Sequence, residues 1–302
     1  MENFSFALIT DKNYLHNTLA VILNLLKTKS LSAFYKIYLI YTESERTDII
    51  SYFDKFNIKN YKIEIIYFDN TLIKDFNGIR HVSNATYVKY FIPELIKDEK
   101  VLFLDSDIYI NRSIEEIWNE FQNQYSIVAV SDPGYHDEDD LIGIKKTEDT
   151  FNAGVLFLNC KKMREIKMCD KLIEYTNLNS KKIKNADQTV FNVICKDDWK
   201  KVSCSYNLQR IYFTNSAKFL RMKKYDLRKV RKNPHIIHFT THSKPWMFRC
   251  AHPYKKMYLK NYKELFNFKY NDITIINLLK YIYEYCQYLK AKIDNIVVKG
   301  EI

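Results

Sequence analysis

Short runs of apolar, β-branched and aromatic residues alternate with longer segments of helical periodicity through the first half of the chain. The strand-like runs cover residues 4–10, 34–41, 61–68 and 101–104. The segments between them predict helices at 13–29, 43–57 and 85–97, and Pro93 weakens the continuity of the last one. Strands that alternate with helices favour parallel pairing through crossover connections. The pattern therefore predicts an α/β fold with a mainly parallel central sheet flanked by helices.

The second half of the chain continues this pattern less regularly. Strands are predicted at 126–130, 154–159 and 235–240, and helices at 161–178 and 186–196. In open α/β sheets, ligands bind at the carboxyl ends of the strands. Several polar side chains lie at or just past such ends: Asp11, Asp105, Asp107, Asp132 and His238. They predict a functional site at one edge of the sheet.

The last part of the chain has a different character. From about residue 262 to 298, aromatic and aliphatic residues are mixed with lysines in an amphipathic pattern. This pattern is typical of helices that lie on a membrane surface, and also of a helix that packs against its own protein. We therefore divide the chain into a main domain, residues 1–259, and a basic, aromatic-rich helical C-terminal segment, residues 260–302. Membrane association of that segment is left open.

The composition excludes several classes of protein. With 302 residues, 47% of them hydrophobic, the chain can bury a large core and is unlike a disordered protein. Its six cysteines form no Cys-x-x-Cys pair, which predicts a reducing compartment and no zinc site. The sequence has neither a secretion signal nor an apolar run of membrane-spanning length. We expect a cytoplasmic protein, with docking on the inner face of the cytoplasmic membrane as an alternative.

The formal net charge of +11 is unevenly distributed. A basic run opposed only by Asp226 consists of Lys218, Arg221, Lys223, Lys224, Arg228, Lys229, Arg231 and Lys232. Such a run attracts polyanions, namely nucleic acid, anionic lipid headgroups or a phosphorylated glycolipid, and a merely solvated basic face has the same pattern. No nucleic-acid-binding motif accompanies the run. Polyanion binding is therefore the last-ranked functional hypothesis, and nucleic acid is not an expected partner.

Asp105 and Asp107 carry the strongest chemical signal. They follow the apolar run 101–104, so a buried strand delivers two carboxylates, one residue apart, to the edge of the sheet. Because side chains alternate along a strand, both carboxylates point the same way. Two converging carboxylates suit Mg²⁺ or Mn²⁺, and such an ion suits a diphosphate. Many strands also end in Asp for turn chemistry, so the motif alone leaves a plain turn open.

Further motifs follow in a fixed order. They are Thr10-Asp11-Lys12-Asn13-Tyr14, Gly78-Ile79-Arg80-His81-Val82-Ser83, Ala85-Thr86-Tyr87-Val88-Lys89-Tyr90, Phe151-Asn152-Ala153-Gly154, Asn185-Ala186-Asp187-Gln188, and His238 with Lys244-Pro245-Trp246. In this order they resemble glycosyltransferase family 8, especially the bacterial lipopolysaccharide galactosyl- and glucosyltransferases, over residues 4 to about 259. The resemblance implies a GT-A fold with a Rossmann-like sheet.

The resemblance implies a uridine site and a helix that approaches the donor. The uridine would be held by Thr10, Asp11, Asn13 and Tyr14. An Asp can accept hydrogen bonds from a nucleobase and a Tyr can stack on it, although the same motif by itself fits a helix cap. Residues 78–83 would fold over donor and acceptor. Lys89 would approach the donor in place of the Arg that most relatives carry, and Lys cannot form a bidentate fork.

The resemblance also implies a metal site and a diphosphate site. The ion would be bound by Asp105, Asp107 and His238. An imidazole beside two carboxylates shifts the preference from Mg²⁺ towards Mn²⁺. Ser106 would contact the donor, and Lys244, six residues after His238, would neutralise the diphosphate as UDP leaves. Where the family commonly has glycine-rich sequence, this chain has Thr241-His242-Ser243, a departure that bears on how closely the backbone approaches the phosphate.

The remaining matches concern the transferred sugar. Asn152 and Ala153 would face the donor sugar. Asp187 would bind its hydroxyl groups, and Gln188 would lie on the face opposite the leaving group. Asp132 occupies a place similar to a residue that contacts acceptor or sugar, and a plain turn fits that position equally. The catalytic residues implied by the resemblance are Asp187, Gln188 and Lys244.

The implied activity is retaining transfer of a hexose, galactose or glucose, from a UDP-sugar to a glycolipid or oligosaccharide acceptor in lipopolysaccharide or lipooligosaccharide synthesis. Mn²⁺ is the implied ion, with Mg²⁺ as an alternative, and an anionic membrane is a further candidate partner. Retaining hydrolases need a carboxylate nucleophile, and no residue clearly takes that role, which favours front-face attack by the acceptor. A UDP-sugar hydrolase, or a sugar-nucleotide binder without catalysis, stays open as a second hypothesis.

Overall fold

The computed structural model describes residues 2–44, 48–74, 76, 84–134 and 149–294. The loop 78–83, which the sequence places over donor and acceptor, lies outside these residues. The chain forms two compact units. The first unit consists of Met1–Thr18, Lys29–Ser106 and Glu115–Ser203, and the second consists of Leu19–Thr28, Asp107–Ile114 and Cys204–Ile302.

Strands and helices alternate along the described residues. The strands are β1 (Glu2–Thr10), β2 (Ala33–Tyr41), β3 (Tyr61–Tyr67), β4 (Lys100–Leu104), β5 (Ile108–Ile110), β6 (Ile127–Ser131), β7 (Phe151–Asn159), β8 (Trp199–Lys201), β9 (Leu208–Gln209) and β10 (Ile236–His238). The α-helices are α1 (Leu15–Thr28), α2 (Ile92–Leu95), α3 (Cys160–Glu165), α4 (Met168–Asn179), α5 (Ala186–Ile194), α6 (Ile211–Thr214), α7 (Lys224–Lys232), α8 (Lys255–Leu265) and α9 (Ile275–Asp294). Short 3₁₀ segments include Ile50–Phe53, Asn84–Phe91 and Glu115–Glu120.

The first unit contains a seven-stranded sheet with the strand order β3-β2-β1-β4-β7-β6-β8. The pairs β1/β2, β2/β3, β1/β4 and β6/β8 are parallel. Strand β7 runs antiparallel to both of its neighbours, β4 and β6. The predicted α/β fold with a mainly parallel central sheet is therefore confirmed. The antiparallel β7 brings its first residues, rather than its last, to the carboxyl end of β4.

The core of this unit lies between the sheet and the helices that flank it. All residues of β6 and β7 are buried, as expected of strands that are covered on both faces. Residues from the sheet such as Phe103 and Leu156 pack with Tyr90, Leu172 and Phe191 from the helical segments. Burial of each such side chain contributes roughly 1.5–3 kcal/mol to stability.

The predicted strands are found with small shifts of their ends, while three predicted helices differ. Of the helix predicted at 43–57, the described residues contain only the 3₁₀ segment Ile50–Phe53. The segment 85–97 begins as 3₁₀ and becomes α2, with Pro93 in the first turn, where its missing N–H costs nothing. The helix predicted at 161–178 is two helices, because Lys167 has a left-handed backbone with φ 50°.

The second unit is built on a small sheet with the order β5-β10-β9. Strand β10 is antiparallel to β5 and parallel to β9. Helix α1 is tied to β5 because the Asn24 side chain bonds both the N–H and the C=O of Ile110, at 2.6 and 2.9 Å. This sheet brings Ile108, the first residue of β5, opposite His238.

Helix α9 is amphipathic, as the C-terminal pattern predicts. Its buried residues are Glu284, Tyr288 and Ala291, and Arg231 of α7 donates to the carbonyl of Ala291 at 3.4 Å. Large apolar side chains on the other side are exposed, among them Ile275, Ile276, Leu279, Ile282 and Tyr283. Among the described helices, none has the length and apolar character needed to cross a bilayer. Association of this segment with a membrane surface stays a prediction.

Candidate active site

The Asp105-Ser106-Asp107 motif begins at the end of β4. The Asp105 N–H donates to the carbonyl of Gly154 at 2.8 Å, so the pairing of β4 with β7 continues into the motif. Ser106 Oγ lies 2.7 Å from Thr18 Oγ1, which donates to Thr10 Oγ1 at 2.9 Å. Two hydroxyl groups of the predicted donor site, at the ends of β1 and β4, are thus joined through the first turns of α1.

In the second unit, Asp107 meets both His238 and Lys244. The pairing of β5 with β10 places His238 Nε2 3.2 Å from Asp107 Oδ1. Lys244 forms an ion pair with the other carboxylate oxygen and donates to the carbonyl of Phe239 at 3.0 Å. Burial alone would raise the pKa of Asp107, but the charges of Lys244 and His238 and their hydrogen bonds outweigh it and hold the pKa well below its usual range.

The His238 ring is oriented as a metal ligand requires. Its Nδ1 lies 3.0 Å from Oδ1 of the buried Asn207, an oxygen that can only accept, so Nδ1 carries the hydrogen. Nε2 then faces the Asp107 carboxylate, so it is the ring nitrogen that a cation held by that carboxylate would meet. Asp107 and His238 thus offer a carboxylate and an imidazole side by side, and Asp105 precedes Asp107 by two positions in the chain. Two carboxylates and an imidazole fit a divalent ion of the Mn²⁺ type.

Lys89 is buried among carboxylate and carbonyl oxygens of the first unit. Its Nζ donates to Asp187 Oδ2 at 2.8 Å and to the carbonyl of Ala153 at 3.1 Å, and it lies 3.4 Å from Asp105 Oδ1. Thr86 donates a further hydrogen bond to Asp187. Burial alone would lower the pKa of Lys89, but the two carboxylates outweigh it and raise the pKa above its usual value. Lys89 therefore stays charged and balances both acids.

Gln188 is held by a network of amide and carboxylate groups. Its Oε1 accepts from Asn152 Nδ2 and from the N–H of Ala153, both at 3.1 Å. Its Nε2 donates to Asp132 Oδ2 at 3.1 Å. The Asn152 oxygen accepts from the N–H of Gly154 at 3.0 Å, which fixes the orientation of its amide group. Both lone pairs of the Gln188 oxygen are therefore engaged.

The first motif forms a turn at the start of α1. Asp11 Oδ1 accepts from the N–H groups of Asn13 and Tyr14, both at 2.9 Å. This is a turn that precedes the helix and not an N-cap formed by Asp11 or Asn13, because Tyr14 is the N-cap residue and no side chain caps the helix. The Tyr14 side chain is 42% exposed. The uridine role of Thr10, Asp11, Asn13 and Tyr14 stays a prediction.

Comparison with known proteins now decides the family. The sequence model described as Glycosyl transferase family 8 matches residues 5–250. The chain belongs to glycosyltransferase family 8. The resemblance drawn from the ordered motifs is thereby confirmed.

Individual relatives of this family 8 chain differ in length. GlyD, a glycosyltransferase of Streptococcus pneumoniae, is 34% identical over 202 residues, which cover 63% of this chain and 22% of GlyD. General stress protein A of Bacillus subtilis is 27% identical over 204 residues, which cover 65% of this chain and 71% of that protein. The crystal structure of the galactosyltransferase LgtC with donor and acceptor sugar analogs superposes with a TM-score of 0.69 at 18% identity, covering 93% of this chain and 100% of LgtC. That likeness shows a shared GT-A fold.

The structure groups most of the predicted site residues of this family 8 chain. In the first unit, one group contains Lys89, Asp105, Ala153 and Asp187, and a second contains Asp132, Asn152 and Gln188. In the second unit, Asp107 lies with His238 and Lys244. Thr10 and Ser106 are linked through Thr18, and Asp11, Asn13 and Tyr14 form one turn. The roles of these residues toward a ligand stay predictions.

Sequence reasoning missed several partners of these residues. Thr86 belongs to the motif at residues 85–90. It stands three residues before Lys89 in a 3₁₀ segment, so both side chains lie on the same face, and the spacing could have indicated its contact with Asp187. Thr18 and Asn207 have no comparable signal, because their positions depend on the folded sheet. Thr241 has φ 78°, so the turn before Lys244 takes a glycine-like conformation without glycine.

Proposed function

We propose that this chain transfers a hexose, galactose or glucose, from a UDP-sugar to a glycolipid or oligosaccharide acceptor, with retention of configuration. The proposal rests above all on the donor set of Asp105, Asp107 and His238, together with the ammonium of Lys244. The two carboxylates and the imidazole suit a divalent ion, and that ion together with the Lys244 ammonium suits the diphosphate of a nucleotide-sugar. Synthesis of lipopolysaccharide or lipooligosaccharide is the proposed setting.

Asp105, Asp107 and His238 would hold the ion, with Mn²⁺ favoured over Mg²⁺ by the imidazole. When bound, the ion would neutralise charge on the departing diphosphate. Lys244 would add a second positive charge to the same leaving group, exchanging part of its contact with Asp107 for a phosphate oxygen. Thr10, Asp11, Asn13 and Tyr14 would bind the uridine, and Ser106 would contact the donor.

On the sugar side, Asp187 would accept hydrogen bonds from hydroxyl groups of the donor, with Asn152 and Ala153 facing the ring. Gln188 is a poor nucleophile, since an amide lacks negative charge and its oxygen already accepts two hydrogen bonds. The Asp187 carboxylate is bound by Lys89 and Thr86, which reduces its nucleophilicity. These contacts favour attack by the acceptor on the same face that the diphosphate leaves.

In that step, a bond forms between the acceptor oxygen and the anomeric carbon, and the bond from this carbon to the phosphate oxygen breaks. The acceptor hydroxyl gives its proton to an oxygen of the leaving phosphate. The bonding electrons stay on the diphosphate, so the products are the glycoside and UDP. The protein contributes binding, orientation and charge stabilisation rather than a covalent intermediate.

The test is turnover of a panel of UDP-sugars, with and without Mn²⁺, by wild type and by Asp107→Ala. We expect Asp107→Ala to reduce Mn²⁺-dependent turnover by about 100-fold or more. Asp170→Ala, an exposed acid on α4, is the matched control and should behave as wild type. Wild-type turnover by Asp107→Ala would contradict the metal assignment. Release of free hexose at equal rates with and without acceptor would identify a hydrolase instead.

A further inference from the structure

The turn between His238 and Lys244 must be held in an unfavourable conformation. Thr241 is β-branched and has φ 78°, a left-handed conformation that such a residue adopts only with strain. The turn brings Lys244 back onto the carbonyl of Phe239, at 3.0 Å, and onto Asp107. A strained turn persists only where its surroundings fix it. The contacts of this turn therefore determine where the Lys244 ammonium lies.

Two arginines contact the turn: Arg249 donates to the carbonyl of His242, and Arg210 contacts the two threonines that precede it. The backbone N–H of Arg210 donates to Thr240 Oγ1, and its Nη1 donates to Thr241 Oγ1, both at 3.2 Å. Nη2 of the same guanidinium donates to Gln287 Oε1 of α9 at 3.1 Å. The Arg210 side chain is only 14% exposed, so its charge needs a partner.

That partner is Glu284, the buried acid of α9. Glu284 Oε1 lies 3.3 Å from Arg210 Nη1, and Oε2 accepts from the N–H of Ala251 at 3.2 Å. The Tyr288 ring, one turn further along the same helix, lies under the guanidinium, 5.9 Å from its central carbon. Three residues of α9 thus contact the guanidinium, and the Nη1 that lies next to Glu284 also donates to Thr241 in the turn before Lys244.

We propose that Arg210 and Glu284 are positioning residues for Lys244, and that α9 thereby supports diphosphate binding although none of its residues was predicted to touch the donor. The proposal rests on the function proposed above. Glu284 orients the guanidinium, the guanidinium holds Thr241 in its left-handed conformation, and this conformation directs Lys244 toward Asp107. The C-terminal segment is then a structural part of the site rather than an appendage.

The test is a double-mutant cycle with the affinity for UDP in the presence of Mn²⁺, measured by calorimetry. Glu284→Gln keeps the shape and the bond to Ala251 but removes the charge that holds Arg210. We expect it to weaken UDP binding by about tenfold in wild type. In a Lys244→Ala background the same change should alter the affinity by less than about twofold, because the group that it positions is gone.

Two further variants sharpen the result. Arg210→Lys keeps the charge but loses the fork, so it should reproduce the loss of affinity and its dependence on Lys244. Gln287→Leu removes one hydrogen bond to the guanidinium and should give a smaller loss of UDP affinity. This variant replaces Glu284→Gln in the cycle if Glu284→Gln does not fold. Lys290→Gln, an exposed charge on α9, is the control and should leave the affinity unchanged.

The outcomes separate this proposal from the one on which it rests. If wild type binds no UDP with Mn²⁺, the proposed function is wrong, and positioning of Lys244 for UDP falls with it. If wild type binds UDP and Lys244→Ala weakens binding, the donor site stands. Equal losses from Glu284→Gln in both backgrounds, or no loss in either, would then overturn the positioning role alone, since general destabilisation does not depend on Lys244.

Discussion

Lys89 shows how one buried charge organises the acids around it. Its ammonium has three hydrogens, and three oxygens surround it: Asp187 Oδ2, Asp105 Oδ1 and the carbonyl of Ala153. With only 5% of Lys89 exposed, no hydrogen is directed to solvent. An arginine would spread its donors over a wider fork. The need to balance the charges of Asp105 and Asp187 is therefore enough to explain a buried lysine at position 89, without any contact between Lys89 and a donor.

Lys89→Met should destabilise the protein by about 3–5 kcal/mol, because the buried Asp187 loses its cation while remaining out of water. The double variant with Asp187→Asn should be less destabilised than the sum of the two single variants, since neither charge is then left alone. Urea unfolding of wild type, both single variants and the double variant measures these differences in the free energy of unfolding.

The pair Lys201–Asp149 provides the control, because both side chains are more than half exposed. Lys201→Met should cost less than about 1 kcal/mol, as is usual for surface ion pairs. If Lys89→Met and Lys201→Met destabilised the protein equally, Lys89 would not be the buried counter-charge described here.

At the scale of elements, the break between α3 and α4 is set by one backbone angle. Lys167 has φ 50°, and its N–H donates to the carbonyl of Arg164 at 3.1 Å. The apolar periodicity continues across this point, so the sequence predicts one helix at 161–178. A lysine gives no sign of a left-handed turn, whereas a glycine there would have marked the break.

Lys167→Gly should stabilise the protein by roughly 0.5–1 kcal/mol, because glycine adopts a positive φ without strain. Lys171→Gly removes the same charge from an exposed position inside α4 and should destabilise it by about 1 kcal/mol. Thermal unfolding of both variants measures the difference. A loss of stability in both would show that the left-handed angle of Lys167 carries no strain.

The strands were predicted well, and the helical segments less so, for a physical reason. Strands β1 to β4 are runs rich in β-branched, aliphatic and aromatic residues, and the segments between them have a different composition, so the runs stand out in the sequence. In the 3₁₀ segment Asn84–Phe91, four consecutive residues from Tyr87 to Tyr90 are buried. Such a run has no helical period, so the pattern at 85–97 could not distinguish a 3₁₀ segment from an α-helix.

At the scale of the whole molecule, the sequence located the candidate site but could not group its members. Strand ends predicted Asp105, Asp107 and His238 at one edge of one sheet. That part was wrong, because Asp105 follows β4 of the seven-stranded sheet, whereas Asp107 precedes β5 and His238 ends β10 of the small sheet. The contact of Lys89 with Asp187 joins residues 98 positions apart. It depends on where α5 and the segment Asn84–Phe91 pack. The antiparallel direction of β7, which brings Asn152 to Gln188, has no signal in the sequence either.

Two buried histidines of the second unit link the stability of the fold to pH. Burial, reinforced by the charge of Arg210, lowers the pKa of His252 to about 3. Burial, reinforced by Arg112, lowers the pKa of His235 to about 4. Both imidazoles are neutral in the folded protein, whereas an unfolded chain protonates them near pH 6.5. Their contribution to stability is complete above about pH 6.5 and is lost as the pH falls towards 3 or 4.

His252→Asn should therefore reduce the loss of stability between pH 6.5 and 4, by about 1 kcal/mol per pH unit. The Asn oxygen can replace Nδ1 as the acceptor for the N–H of Tyr254, which lies 3.2 Å away in the wild type. Urea unfolding at several pH values measures the slope, so a constant cost of the smaller side chain cancels. Asp107, whose pKa is lowered, affects the free energy of unfolding at lower pH, and its effect is equal in wild type and His252→Asn, so it does not change the comparison. The exposed His242→Asn is the control, and an equal slope in all three proteins would refute the assignment.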